Sequence, residues 1–176
     1  SIGDGKANFI MGCLTLKKDL TLYSINLPQS LIQDYLILKK YKILDDQYIK
    51  VVNEPKDLLT NNIKLFLIPV QNKNFLKNQN INLFTNIACF QEIPKKETDS
   101  YFEIIKNNNS YFYCCNNESK TMYDGVINNY YEYPWGECEK IFEEECYFYQ
   151  KYYSLRPPFI RNKKGPIIHS LVKYNN

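Results

Sequence analysis

The order of apolar segments predicts one compact domain, mostly β, whose chain closes with helix. Three observations carry that prediction. Short apolar runs bounded by Asn, Asp, Pro and Lys recur from residue 9 to residue 115, the spacing of strands and turns. The chain holds 16 Tyr and 10 Phe beside 1 Trp, and long rings with polar tips suit half-buried pleated surfaces. After Asn116-Asn117 the apolar residues recur at three- and four-residue intervals, which is helical spacing. A chain of 176 residues can bury a sufficient core without metals or disulfides.

Residues 1–8 are polar, with two glycines, and read as a flexible tail. Residues 9–16 are an apolar strand candidate ending at Lys17-Lys18, and residues 20–27 are a second apolar stretch stopped by Pro28. Residues 35–44 read as a strand bearing Lys39, Lys40 and Lys42; Asp45-Asp46 turns the chain, and residues 47–52 form a further strand. Residues 63–70 are apolar up to Pro69 and predict a fully buried strand. An Asn- and Lys-rich loop over residues 71–80 leads to strands at 81–93, 101–106 and 110–115, the last two joined as a hairpin through residues 107–109.

Asn117 then caps a helix carrying Met122, Val126 and Ile127 beside Tyr123 and Tyr130, with Gly125 weakening it by about 1 kcal/mol relative to Ala. Trp135, with Tyr131, Tyr133 and Pro134, reads as a packed corner. A second helix over residues 137–153 has the acidic start that a helix dipole favours, and Pro157-Pro158 stop it. Residues 159–176 form a basic strap. With no internal repeat or linker, one domain accounts for the chain.

The net charge of +3 is unevenly placed: residues 1–96 carry 13 Lys against 8 acidic groups, and the remainder 9 basic against 11 acidic. A basic amino-terminal half suits an anionic surface. Two Arg in the whole chain argue against nucleic acid, whose readers lean on Arg forks, whereas a membrane surface is met with Lys alone. Six cysteines without a CxxC pair, and the single His169, argue against a zinc site. They read as reduced core thiols, with a secreted, disulfide-bonded domain as the alternative. His169 has no acid or nucleophile near it in sequence, and no glycine-rich phosphate loop is read, so no enzyme activity is assigned. No apolar run approaches the ~20 residues of a membrane span, and no signal peptide is read.

The text of residues 101–130 resembles a pleckstrin homology domain. Phe102-Glu103-Ile104, a turn, the aromatic run Tyr111-Phe112-Tyr113-Cys114-Cys115, then Asn117-Glu118-Ser119-Lys120 and a helix from Thr121 follow that family's ending, with Tyr123 where the family carries a helix Trp. The resemblance implies a seven-stranded bent barrel over residues 9–130, plugged by an amphipathic C-terminal helix, with residues 131–176 as a helical extension. It implies no cofactor. As in apicomplexan members of the family, it implies phosphatidic acid sensing at the cytoplasmic face of a membrane, in microneme secretion.

On this resemblance Lys17, Lys18, Lys39, Lys40 and Lys42 take the place of the basic residues that grip the lipid phosphate near the first two strands. Lysine supplies a compact point charge rather than a bidentate fork, which suits a simple phosphomonoester headgroup. Leu20, Leu22, Tyr23 and Leu27 supply apolar insertion between headgroups. Two alternatives stand beside this: the lysines are the solvated face of a strand, or the fold is a protein-docking scaffold presenting Glu143-Glu144-Glu145 or its tyrosines.

Overall fold

The computed structural model describes residues 1–17, 19–77, 79–163 and 165–175. They divide into two units, Ser1–Gln79 and Asn80–Asn176. The architecture is mixed α/β. Among the described residues the strands form sheets of three, four, two and two members, and none closes into a barrel.

In the first unit, β1 (Leu22–Asn26), β2 (Ile49–Val51) and β3 (Leu65–Pro69) make a parallel sheet in the order β1-β3-β2. Parallel neighbours need crossover connections. The helix α2 (Pro28–Lys40) lies in the crossover from β1, and α1 (Asn8–Leu16) precedes β1. The expected buried strand at residues 63–70 is β3, every residue of which is buried, as a sheet covered on both faces requires. Leu65 and Leu67 face Ala7, Ile10 and Leu14 of the α1 segment and Leu31 and Leu38 of α2. On the opposite parity Phe66 stacks on Tyr23, ring centroids 5.2 Å apart.

Two strands expected here are helices. Residues 9–16 form α1, burying Ile10 and Leu14 one turn apart. Residues 35–44 fall largely in α2, where Leu31, Asp34 and Leu38 make the buried stripe and Pro28 takes the first helical turn. Proline suits that position because its missing N–H would have had no intrahelical partner. Lys39 and Lys40 close α2 where its dipole favours cations. Residues 1–8 are held down as well: Ile2 is buried and bridges Ile25 in parallel.

The second unit carries β4 (Leu83–Ile87), α3 (Lys95–Asn107) and β5 (Tyr111–Asn117) as a parallel βαβ segment. It is completed by β8 (Glu139–Glu145) and β11 (Ile167–Lys173) in the order β4-β5-β11-β8, with β11 antiparallel to both neighbours. Two hairpins, β6 (Ser119–Thr121) with β7 (Ile127–Asn129) and β9 (Lys151–Tyr153) with β10 (Ile160–Asn162), complete the unit.

Here the exchange runs both ways. Residues 101–106 are helical, within α3, and Thr98, Tyr101, Phe102 and Ile105 are its buried stripe at helical spacing. The helix expected after Asn117 is the β6–β7 hairpin, turned at Gly125 with φ +84°. The helix expected at 137–153 is the outer strand β8 followed by β9. Its glutamates suit an outer position, because charge there discourages pairing with another chain. The basic strap contains β11, which sits between β5 and β8. Trp135 does form a packed corner: its Nε1 donates to the Tyr130 carbonyl at 3.1 Å and its ring meets Phe102 edge-on.

Candidate functional site

Among the described residues, three left-handed backbone positions fall close together in the first unit, between Ile2 and α1. Gly3 and Gly5 have φ of +70° and +67°, and Ala7 has φ +52°. Left-handed backbone of this kind favours glycine. The segment therefore reads strand residue, Gly-Asp-Gly turn, helix. Asp4, in the middle of the turn, accepts the amides of Phe9 at 3.2 Å and Ile10 at 3.0 Å. It thereby takes two of the donors that the first turn of a helix leaves open.

Behind the turn, on the face of the sheet that α2 covers, sit Ser24 and Asn26 of β1 and Asp34 of α2. Ser24 and Asp34 are fully buried. Ser24 Oγ, Asn26 Nδ2 and both Asp34 carboxylate oxygens have no hydrogen bond of ordinary geometry. Burial pushes the Asp34 carboxyl above its usual range, and the charge of Asp4 pushes the same way; nearby Asn26, the Ala7 amide and Ser24 oppose the shift. Ser24, Asn26, Asp34 and the Ala7 amide thus gather as one buried polar cluster that joins β1, α2 and the start of α1. Asn26 Oδ1 accepts the Leu27 amide at 3.0 Å, which fixes the side chain at the carboxyl end of β1.

A pocket of about 410 Å³ lies on the same unit. Its walls include Pro28, Val51 and Pro69, which stand at the carboxyl ends of β1, β2 and β3, and it is otherwise mostly apolar, with Leu31, Ile32 and Leu67. Tyr35 and Asp46 add polar groups at its rim, joined by a 2.9 Å hydrogen bond.

The lysines expected to bind lipid lie elsewhere on this unit. Lys17 follows α1 and is exposed, and Lys18 lies outside the described residues. Lys39 is tied to Asp46 at 2.8 Å, which raises its pKa and lowers that of Asp46. Lys40 is exposed, 5.4 Å from the Tyr41 ring centre. Lys42 is exposed with φ +51° and shares a shallow pocket with Leu14, Tyr48 and Lys64. They sit at helix ends rather than on strands. Of the residues expected to insert into a membrane, Leu22 packs in the core and Tyr23 is stacked on Phe66, so only Leu27 is well exposed.

In the second unit the amide side chains beyond β4 and β5 satisfy one another. Asn86 Oδ1 accepts from the Phe90 amide at 3.2 Å and from Asn116 Nδ2 at 2.9 Å, Asn116 Oδ1 accepts from the Gln91 amide, and Gln91 Oε1 from the Asn117 amide. This network shapes the turn after β4. His169 is bracketed by the Tyr113 hydroxyl, 3.1 Å from Nδ1, and the Glu144 carboxylate, 3.4 Å from Nε2. All six cysteines are free thiols. Among the described residues no group of His, Cys, Asp and Glu is placed to hold a metal ion, and no helix is long and apolar enough to cross a membrane.

No family model and no curated protein sequence matches the chain.

Sequence reasoning passed over the Gly-Asp-Gly turn because the residues on either side of it read as a tail and a strand. The available signal was two glycines one residue apart, opening an apolar run with four-residue spacing, and an amide side chain about twenty residues on, before Pro28.

Proposed function

We propose that the first unit binds a nucleoside cofactor at the carboxyl ends of its parallel strands, and that this cofactor is of the sulfonium, S-adenosylmethionine type. The observation that carries the reading is the glycine turn between a strand residue and α1, backed by the buried polar cluster of Ser24, Asn26 and Asp34. In open α/β sheets ligands sit in the crevice outside the carboxyl ends of the strands, and a Gly-x-Gly turn entering a helix lets a nucleotide approach the backbone. In that arrangement an acidic residue ending the second strand, about twenty residues on, meets the ribose hydroxyls; here an amide, Asn26, ends β1.

The turn disfavours a pyrophosphate. A dinucleotide needs free amides at the helix start and no nearby negative charge. Asp4 already occupies the Phe9 and Ile10 amides and places a carboxylate there, with Asp34 behind it. Such a site suits a nucleoside whose substituent is neutral or cationic. The pocket of about 410 Å³ on the same unit, which shares no lining residue with the turn, has the size and apolar lining that a planar base requires. Calorimetric titration with S-adenosylmethionine, S-adenosylhomocysteine, NAD and ATP tests the reading. S-adenosylmethionine, the sulfonium, and S-adenosylhomocysteine, the thioether, are both expected to bind, and Asn26→Ala to weaken them about tenfold, as loss of paired ribose hydrogen bonds would. Tighter binding of NAD or ATP, or no binding of any adenosyl ligand, overturns it.

A second reading takes Lys17, Lys40 and Lys42, exposed at the carboxyl ends of α1 and α2, as contacts for an anionic membrane, phosphatidic acid first. It keeps the pleckstrin homology resemblance as its origin and stands on the lysines rather than on a barrel. Each lysine near such a surface contributes about 1 kcal/mol. Sedimentation with vesicles containing or lacking phosphatidic acid tests it, and equal sedimentation of the Lys40→Glu, Lys42→Glu double variant removes it.

A further inference from the structure

One segment of the second unit leaves its large apolar side chains uncovered. After Cys146 the chain passes through the β9–β10 hairpin, where Phe148, Tyr153 and Leu155 are almost wholly exposed. Tyr147, Tyr152 and Phe159 are exposed beside them. The segment is also basic throughout: residues 147–163 carry Lys151, Arg156, Arg161 and Lys163 and no acidic residue. Both arginines of the chain lie here. Arg161 donates to the Pro157 carbonyl at 3.1 Å, and Lys163 sits over the Tyr149 ring. Lys151 and Arg156 have no ionic partner among the described residues.

The strand that leads into the hairpin has the opposite charge. Residues 137–145, which include β8, carry five glutamates against Lys140. Lys140 is bonded to Glu143 at 2.8 Å, and Glu144 lies against His169. Glu137, Glu139 and Glu145 are exposed and have no ionic partner among the described residues. β8 stands at the end of its sheet, with Ile141 half exposed on it.

We infer that the chain self-associates through this surface, the basic hairpin of one copy lying against the acidic outer strand of a second copy. The inference does not rest on the nucleoside reading. A contact about a twofold axis is made twice, so one surface must carry both halves of the match, as this one does. Two β8 strands repel each other, which leaves the hairpin, rather than another β8 edge, as the complement. The area suffices as well: aromatic side chains bury about 150–250 Å² each, so the five exposed rings approach the ~800 Å² that each partner gives a standard interface. An anionic membrane or a nucleic acid fits less well, because docking through the hairpin carries the glutamates of β8 toward the same phosphates.

Sedimentation velocity of the whole chain, from micromolar to about 100 μM, tests the inference. A dimer with a micromolar dissociation constant is expected, weakening about tenfold between about 50 mM and about 500 mM salt as the charges are screened. Phe148→Ser, Leu155→Ser is expected to weaken it about tenfold or more, as loss of exposed anchors would. Two further variants read the charge match. Lys151→Glu, Arg156→Glu cancels the charge of the hairpin, and Glu139→Lys, Glu145→Lys cancels that of the strand. Each alone should stay monomeric, with an unchanged circular dichroism spectrum. Mixed in equal amounts they should form a heterodimer, since the intact hairpin of the second meets the intact strand of the first and the reversed residues also meet as opposites. A dimer that survives both charge variants, or a mixture no more associated than its parts, would overturn the proposal. So would a wild type that stays monomeric, whether or not it sediments with anionic vesicles or binds an oligonucleotide.

Discussion

The carboxylate of Asp4 accepts the backbone amide of Ile10 at 3.0 Å, across six residues of chain. Residue Ala7, at the conventional capping position of α1, has no side chain able to do this. The cap is thus supplied from inside the glycine turn, and one carboxylate both holds the helix start and decides what charge the turn tolerates. Asp4→Ala is expected to lower the stability of the first unit by about 1 kcal/mol, the usual worth of a helix cap. Urea denaturation should show a lower midpoint with an unchanged slope. The same change should improve binding of ATP relative to S-adenosylhomocysteine, because it uncovers the Phe9 and Ile10 amides.

Asp34 is expected to trade stability for function. Its carboxyl titrates above the usual range because burial disfavours the charged form, with the charge of Asp4 adding to the effect. A carboxyl whose folded pKa is raised makes the protein less stable as pH climbs from the unfolded pKa, about 3.9, through the folded one. Asp34→Asn removes that loss. Thermal melts should show the variant gaining on wild type as pH rises above about 4, with no gain below it. A gain that is constant across pH would mean that the carboxyl is not strained by burial.

Asp57 is expected to act with the opposite sign. The amides of Asn53 and Glu54 and then Lys50 hold its carboxyl down at about 2. Stability from a depressed carboxyl is present above the unfolded pKa and is lost as pH falls through the folded one. Wild type should therefore lose stability between about pH 4 and pH 2, and Asp57→Asn should lose less over that window. Parallel acid titrations of the two proteins would contradict this.

Two glycines mark the helix and the hairpin on which the fold turns. Gly12 lies inside α1, exposed, with nothing within 4 Å of where a Cβ would stand. Gly12→Ala is expected to stabilise by about 1 kcal/mol, the helix-propensity difference. Gly125 turns the β6–β7 hairpin at φ +84°. Gly125→Ala is expected to destabilise by about 1–2 kcal/mol, since a Cβ disfavours left-handed backbone. If residues 117–130 were a helix, the sign at Gly125 would reverse, whereas Gly12→Ala would stabilise a strand as well as a helix. The melting temperature of the Gly125→Ala variant therefore decides between hairpin and helix.

These two sites also show how much the sequence made legible. The buried strand β3 and the aromatic strand β5 could be read, because their apolar runs are long and bounded by turn residues. The short run at residues 9–16 could not be assigned, since eight mostly apolar residues fit a buried strand or a helix equally and the deciding cap comes from Asp4. In α3 the stripe Thr98, Tyr101, Phe102 and Ile105 was present in the sequence, but the ring-rich text of residues 101–106 favoured a strand. Helical spacing after Asn117 was coincidental, and the φ of Gly125 overrode it. At the candidate site, the lysines were visible as charge. The buried cluster of Ser24, Asn26 and Asp34 was not, because these residues gather only when α2 packs on β1.

The largest single-residue effect is expected in the core of the second unit. The Tyr130 hydroxyl lies 2.6 Å from Ser170 Oγ, with both residues fully buried and the Tyr130 ring packed among Tyr133 and Trp135. Tyr130→Phe keeps the ring and deletes the hydroxyl, leaving Ser170 Oγ without this partner inside the sheet. The cost should be about 1–3 kcal/mol, the penalty for stranding a buried polar group. Ser170→Ala should cost less, because the Tyr130 hydroxyl keeps the Cys114 carbonyl, 3.5 Å away, as an acceptor. The double variant Tyr130→Phe, Ser170→Ala removes both groups together and should recover part of the loss. Urea denaturation of the four proteins closes the cycle, and strictly additive losses would show that the two hydroxyls do not depend on each other.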